Sequence, residues 1–212
     1  MEYASLAERI ASLHEVKPEE VVLGCGSTEI LRMAAFAFLG SGKQLIQASP
    51  MLARAGASTT LVYIRNPNNP TASLTPRKDL EAFISKLPSS TFVVIDEAYH
   101  HYAGQSGMYA SFIDRPFHDE RIIVVRTFSK VYGLAGLRLG YAVASANAIQ
   151  QMRKFTTEDN INALVTQAAA ATLDDSNGVD DSVQRNANDR QEFLNQAMAP
   201  ALKPIDSHAN LS

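Results

Sequence analysis

The chain has 212 residues, 46% hydrophobic and 19% charged, with 19 Lys plus Arg against 22 Asp plus Glu and a formal net charge of -3. That is enough apolar material for a sizeable core, expected as one large domain, and no basic block marks a nucleic-acid surface. The single cysteine, Cys25, rules out a disulfide within the chain, and the longest apolar run, 33–39, is far short of the roughly 20 residues that a bilayer span takes.

Met1 leads into an amphipathic helix with Leu6, Ile10 and Leu13 on one face, without the basic start and apolar core of a signal peptide. With one cysteine and no membrane segment, the expectation is a cytoplasmic protein whose targeting segment, if it has one, lies outside this chain. A short strand, Val21 to Leu23, then runs into the glycine turn Gly24 to Gly26 and a helix capped by Ser27 or Thr28, with Glu29 in its first turn. Gly40 to Gly42 stop that helix, and Gln44 to Ala48 make another strand. Further strands are expected at Leu61 to Ile64, Thr91 to Ile95, Arg121 to Val125 and Leu139 to Ala144. The first three recur about every 30 residues, the length of a βαβ unit, and alternate little, as strands do when helices cover both faces of a parallel sheet. A helix from Pro76 to Lys86, capped by Thr75, joins two of them, and a looser stretch with Gly104, Gly107 and Pro116 joins the next two. Helices are expected at Ala146 to Phe155, Ile161 to Leu173 and Val179 to Met198. The fold class is therefore α/β, three layers with a mostly parallel sheet.

In such sheets ligands bind beyond the carboxyl ends of the strands. There the polar residues gather: Asn66 to Thr71 (NPNNPT), Asp96 to Tyr99 (DEAY) and Arg126 to Lys130 (RTFSK). Lys130 follows a buried strand and the small polar residues Thr127 and Ser129, so its amine would enter the crevice and is able to bind a carbonyl. Taken alone it reads first as a solvated surface lysine, since lysines are mostly exposed. Asp96, at the end of FVVID, suits a cationic ring nitrogen, or else is a helix cap or exposed acid. Gly24, Gly26, Ser27 and Thr28 open a helix and so offer an anion site or merely a turn. Asn69 is a candidate donor inside a rigid Asn-Pro turn, and Arg138 a candidate phosphate partner.

Other chemistries fail on spacing. The phosphate loop GxxxxGK[ST] is absent, since Gly42 and Lys43 are preceded by Ala37 and followed by Gln44. Glu29 takes the place of the last glycine of GxGxxG, and Ser106 in GQSGM does not complete a hydrolase elbow. His100 and His101, expected in a loop, have no partner at metal-ligand spacing.

In combination these motifs, a GST turn followed by NPNNPT, DEAY and SK with GLAGLRLGY, resemble the fold type I enzymes that use pyridoxal 5'-phosphate (PLP). The resemblance is greatest to the histidinol-phosphate aminotransferase family, from about Leu6 to Asn210. It implies the large domain of a PLP-dependent transferase, moving an amino group between an amino acid or histidinol phosphate and a 2-oxo acid. Lys130 matches the Schiff-base lysine, Asp96 the acid on the ring nitrogen, and Tyr99 and Asn69 the donors to the phenolic oxygen. Lys130, Asp96 and Tyr99 are thus the catalytic candidates. Gly26, Ser27, Thr28, Thr127, Ser129 and Arg138 match the phosphate cup, and no metal is implied. The resemblance also implies a homodimer.

Departures from the family pattern carry their own expectations. Pro50 runs directly into Met51, whose MLARAG resembles the helix before the next strand, so a segment with the ring-stacking aromatic is missing at that junction. Residues 1–200 are expected to form the PLP-binding domain, without the family's N-terminal arm, and 201–212 to begin a truncated small domain. Ala72 stands where the family usually has glycine, and Arg65 where it has a small or neutral residue. The same motifs fit a PLP decarboxylase of the threonine-phosphate type, and a noncatalytic protein that keeps the fold is the reading from another class.

Overall fold

Six aliphatic runs form the strands of a single sheet in the computed structural model, which describes residues 3–48, 59–104, 106–114, 119–157, 160–198 and 207–210. The strands are β1 (Val21–Cys25), β2 (Gln44–Ala48), β3 (Thr59–Arg65), β4 (Phe92–Asp96), β5 (Ile122–Thr127) and β6 (Leu139–Ala144). Their order is β1-β6-β5-β4-β3-β2. The pairs β2/β3, β3/β4 and β4/β5 are parallel, whereas β6 runs antiparallel to both of its neighbours. The helices are α1 (Tyr3–Leu13), α2 (Gly26–Phe38), α3 (Arg77–Ile84), α4 (His100–Ala103), α5 (Ala146–Arg153), α6 (Ala163–Asp174) and α7 (Ser176–Met198).

Alternation along the strands separates two cores. Val62, Ile64, Val93, Ile95, Ile122 and Val124 pack with Leu6 and Ile10 of α1, with α3 and with Val165 of α6. Leu61, Val94, Ile123, Val125 and Ala142 turn to the other face, against α2 and α5. The middle of each of β3, β4 and β5 is apolar on both faces because each face has its own helical cover, which is why these strands read as aliphatic runs rather than as alternation. Full burial of a single aliphatic side chain in such a core stabilises by about 1.5–3 kcal/mol.

The same alternation sends neighbouring residues at a strand end to opposite faces. Asp96 continues the series of Val94, and Glu97 that of Ile95.

Several local expectations are corrected. Leu13, placed on the apolar face of α1, is 53% exposed, while Leu6 and Ile10 are buried. Neither Ser27 nor Thr28 caps α2, which starts at Gly26 with Cys25 as its N-cap and no capping side chain. Glu29 takes that role from within the helix, its Oε2 accepting from the Cys25 N–H at 2.5 Å. Pro76, not Thr75, precedes α3, because the Thr75 N–H and C=O are both engaged by the Asn66 side-chain amide. His100 and His101 lie in α4 rather than a loop. Among the described residues no group of His, Cys, Asp and Glu could hold a metal ion.

Ten residues, 49–58, separate β2 from β3. A parallel crossover normally takes a dozen or more. The 50/51 junction itself lies outside the described residues, as does most of 201–212. Of the latter, 207–210 rest on the first 200 residues: the His208 N–H donates to the Ala72 carbonyl at 2.9 Å, and Ala209 is buried beside Ala72 and Tyr99.

Candidate active site

β3, β4 and β5 run the same way, so their carboxyl ends open at one edge of the sheet. Because β6 is antiparallel, its start lies there too, with Gly140 opposite Thr127 and Leu139 opposite Cys25, where β1 hands over to α2. Topology alone therefore brings together a helix start, the Asn-Pro turn, and the ends of DEAY and RTFSK. Between them is a cavity of about 210 Å³ lined by Ser27, Arg65, Asn69, Asp96, Ala98, Tyr99, Thr127, Ser129, Lys130 and Arg138.

Lys130 Nζ lies 5.0 Å from the centroid of the Tyr99 ring. Tyr99 is almost fully buried, and its hydroxyl accepts from Asn69 Nδ2 at 2.7 Å. With that acceptor site used, the phenolic hydrogen remains to be donated elsewhere. Thr127 donates through Oγ1 to Ser129 Oγ at 3.0 Å, and the Ser129 N–H donates to Thr127 Oγ1 at 3.1 Å, so these hydroxyls are mutually oriented. Arg138 has φ of +54° and is anchored by Nη1 to the Ala135 carbonyl at 3.0 Å.

Gly26 stands close against that arginine. Its φ is +73°, and a Cβ there would lie 2.5 Å from Arg138 Nη2. A side chain at Gly140 would strike the Ser27 backbone nitrogen at 2.6 Å, so the start of α2 presses on the sheet, with Ser27 at the cavity. Of the sequence candidates, Gly26 and Thr28 do not line this cavity. Thr28 lines a neighbouring cavity of about 580 Å³ with Cys25, Arg32 and Phe36, which also reaches Arg138.

Asp96 is buried, and both of its oxygens accept hydrogen bonds. Its Oδ1 accepts from the Ala98 N–H at 3.1 Å, and its Oδ2 from the Tyr63 hydroxyl at 2.7 Å and from Arg65 Nε at 3.1 Å. Tyr63 and Arg65 are two residues apart on β3, hence on one face, and Arg65 is the register partner of Asp96. Burial and the adjoining Asp96 carboxylate push the Tyr63 hydroxyl well above its ordinary range. For Arg65, burial works against the charge, but Asp96 and Tyr63 outweigh it and its pKa rises. Neither residue was among the sequence candidates; the usable signal was the departure at position 65, one residue ahead of the Asn-Pro turn.

Sequence reasoning also missed a buried ion pair behind the site. Arg126 donates from Nη2 to Glu97 Oε2 at 3.0 Å and to Ser111 Oγ at 2.7 Å, while the Phe112 N–H donates to Glu97 Oε1 at 2.8 Å. Around Arg126, burial and that cation hold His14 down at about 3, His100 at about 2 and His101 at about 4.

With this geometry in place, three comparisons bear on the chain. The histidinol-phosphate aminotransferase 2 of Hydrogenovibrio crunogenus is 34% identical over 235 residues, covering 97% of this chain and 63% of the relative. A crystal structure of a putative histidinol-phosphate aminotransferase from Erwinia carotovora atroseptica superposes with a TM-score of 0.87 at 28% identity, covering 97% of this chain and 69% of that one. A histidinol-phosphate aminotransferase from Sinorhizobium meliloti, solved in complex with pyridoxal-5'-phosphate, shares the fold with a TM-score of 0.86 at 24% identity, covering 97% and 64%. The chain spans less than two thirds of the length of the Hydrogenovibrio protein and of two other curated relatives that it matches. An alignment of 235 positions is longer than the 212 residues present, so the Hydrogenovibrio protein carries residues that this chain lacks. The sequence profile for aminotransferase class I and II matches residues 51–211, most of the length, and this chain belongs to that family.

Proposed function

We propose that the chain is the cofactor-binding part of a PLP-dependent aminotransferase, transferring an amino group between an amino acid or histidinol phosphate and a 2-oxo acid. The observation that carries this reading is one cavity lined by an amine, Lys130, a buried carboxylate, Asp96, and a tyrosine-amide pair, Tyr99 and Asn69.

The residues fit the cofactor. Arg138, the hydroxyls of Ser27, Thr127 and Ser129 and the N–H groups at the start of α2 form a donor set suited to a phosphate dianion. The close approach of Gly26 to Arg138 is a cradle that any side chain would fill. Lys130 would hold the aldehyde carbon through Nζ, Asp96 would serve the ring nitrogen, and Tyr99 with Asn69 the phenolic oxygen. When bound, the group supplies an electron sink for the charge that develops on the substrate carbon.

The chain's own part is to bind, orient and move protons. A carboxylate at Asp96, beside the ring nitrogen, would favour that nitrogen's protonated form. Tyr99, whose oxygen already accepts from Asn69, is left to donate its hydrogen to the phenolic oxygen. Lys130 Nζ would be the base positioned to take the proton from the substrate's α carbon. The same nitrogen serves both half-reactions.

We also propose that residues 1–200 form the PLP-binding domain and that 201–212 begin a second one, that the missing segment falls at the 50/51 junction, and that the working form is a homodimer. The short β2-to-β3 connection and the extra residues of the relative support the second of these. No helix among the described residues is long and apolar enough to cross a membrane, which is compatible with a cytoplasmic site of action.

The deciding experiment is titration with PLP followed by visible absorbance. A Schiff-base band that disappears in Lys130→Ala supports the reading, and a band that survives the substitution removes it. Histidinol phosphate and a panel of amino acids, offered with 2-oxoglutarate, should then give keto product; carbon dioxide in its place would mark a decarboxylase, and neither product a noncatalytic binder.

A further inference from the structure

The Asp96 carboxylate has two claimants. An ionised carboxylate oxygen offers two lone-pair directions in its plane. At Oδ2 both are taken, one by the Tyr63 hydroxyl at 2.7 Å and the other by Arg65 Nε at 3.1 Å. At Oδ1 one is used by the Ala98 N–H at 3.1 Å. A ring nitrogen served by Asp96 must therefore share the carboxylate with a guanidinium or displace it.

Displacement is open to Arg65. Its side chain is 32% exposed, whereas that of Asp96 is 3% exposed, and Arg65 itself lines the cavity. The single Nε–H is shared between Asp96 Oδ2 and the Tyr63 hydroxyl, 3.0 Å away, and the guanidinium carbon lies 5.7 Å from the Tyr63 ring centroid, so the arginine rests against both residues. A fixed positive charge at this place acts on a bound ring in two ways of the same sign. It withdraws the carboxylate that favours a protonated ring nitrogen, and it repels the proton once it is there.

We infer that Arg65 is a positioning residue that competes with the cofactor's ring nitrogen for Asp96 Oδ2, making this chain bind PLP more weakly and hold the ring-side proton less firmly than Asp96 alone would. The inference rests on the PLP reading of the cavity. It assigns Arg65 a role through Asp96, with Tyr63 as the hinge donor that stays on Oδ2 when the arginine leaves.

The test measures PLP affinity and the bound cofactor's spectrum in the full chain, for wild type, Arg65→Met and Arg65→Gln. Removal of the charge should tighten PLP binding about fivefold, the scale of one partly exposed ion pair. The midpoint of the pH-dependent change in bound-cofactor absorbance should move upward, since one positive charge is gone from a cavity whose other charged or titratable groups are Asp96, Lys130, Arg138, Tyr63 and Tyr99. If Arg65→Met does not fold by circular dichroism, Arg65→Gln carries the same expectation. Equal or weaker affinity, or an unmoved midpoint, in a folded variant overturns the role of Arg65 while leaving the PLP reading intact. A wild-type chain that gains no Lys130-dependent absorbance overturns both.

Discussion

Asp96 and Glu97 are consecutive acids at the end of one strand, each paired with an arginine, yet the two pairs are built for different ends. Asp96 meets Arg65 on the face that opens to the cavity, where the arginine side chain is 32% exposed. Glu97 meets Arg126 on the opposite face, with side chains 1% and 5% exposed and with Ser111 and the Phe112 N–H completing the network. The open pair separates more cheaply, because a released guanidinium finds water and the buried Asp96 keeps the Tyr63 hydroxyl and the Ala98 N–H. The closed pair is not, because either ion left alone would be stranded in low dielectric. A one-residue step along the chain thus separates a pair that lines the cavity from one enclosed in the fold.

The comparison breaks first at Glu97. Glu97→Gln should destabilise the chain by about 3–5 kcal/mol in denaturant unfolding, since Arg126 is left buried and poorly compensated. Asp96→Asn should cost less, about 1–3 kcal/mol for its altered buried hydrogen bonds, yet abolish high-affinity PLP binding. A larger stability loss at Asp96 than at Glu97 would mean that the assignment of the two pairs is reversed.

Acid tests the closed pair from its other side. His14, His100 and His101 face Arg126 together with Asp114, Tyr109, Tyr132 and Tyr141, and His14 Nε2 is 2.9 Å from the Tyr141 hydroxyl. All three are held neutral in the fold at values of about 2 to 4, below the 6.5 of the unfolded chain. The unfolded state therefore binds more protons once the pH drops below about 6.5, and stability that is complete above that value is lost as the pH falls toward the folded values. Each histidine contributes up to about 1.4 kcal/mol per pH unit in that window. Equilibrium unfolding between pH 7 and pH 5 should follow this slope, and His14→Phe should flatten it.

The smallest effect belongs to the turn in front of Asp96. Ala72 is buried with φ of +53°, a conformation that costs a residue with a Cβ about 1–2 kcal/mol. Ala72→Gly should relieve most of this, net of the entropy that glycine adds to the unfolded chain, for a gain of roughly 0.5–1 kcal/mol in thermal or denaturant unfolding.

Continuous aliphatic runs with glycine and Asn-Pro punctuation were enough to place every strand within about two residues, since a strand covered on both faces has no other composition open to it. Motif order was enough to name Lys130, Asp96, Asn69, Tyr99 and Arg138 as one group. What a linear pattern does not carry is which side of the sheet a polar residue takes and what stands across from it. The Gly26 contact with Arg138 and the burial of Glu97 on Arg126 come from packing alone. So does the register that sets Arg65 opposite Asp96. The sequence by itself determined a layered α/β chain and the chemical inventory of its strand ends, because hydrophobic period and turn chemistry are local. Only the tertiary structure decided that Lys130 and Asp96 line one cavity and that an arginine already holds the carboxylate there, because strand order and register are set by contacts between residues far apart in the chain.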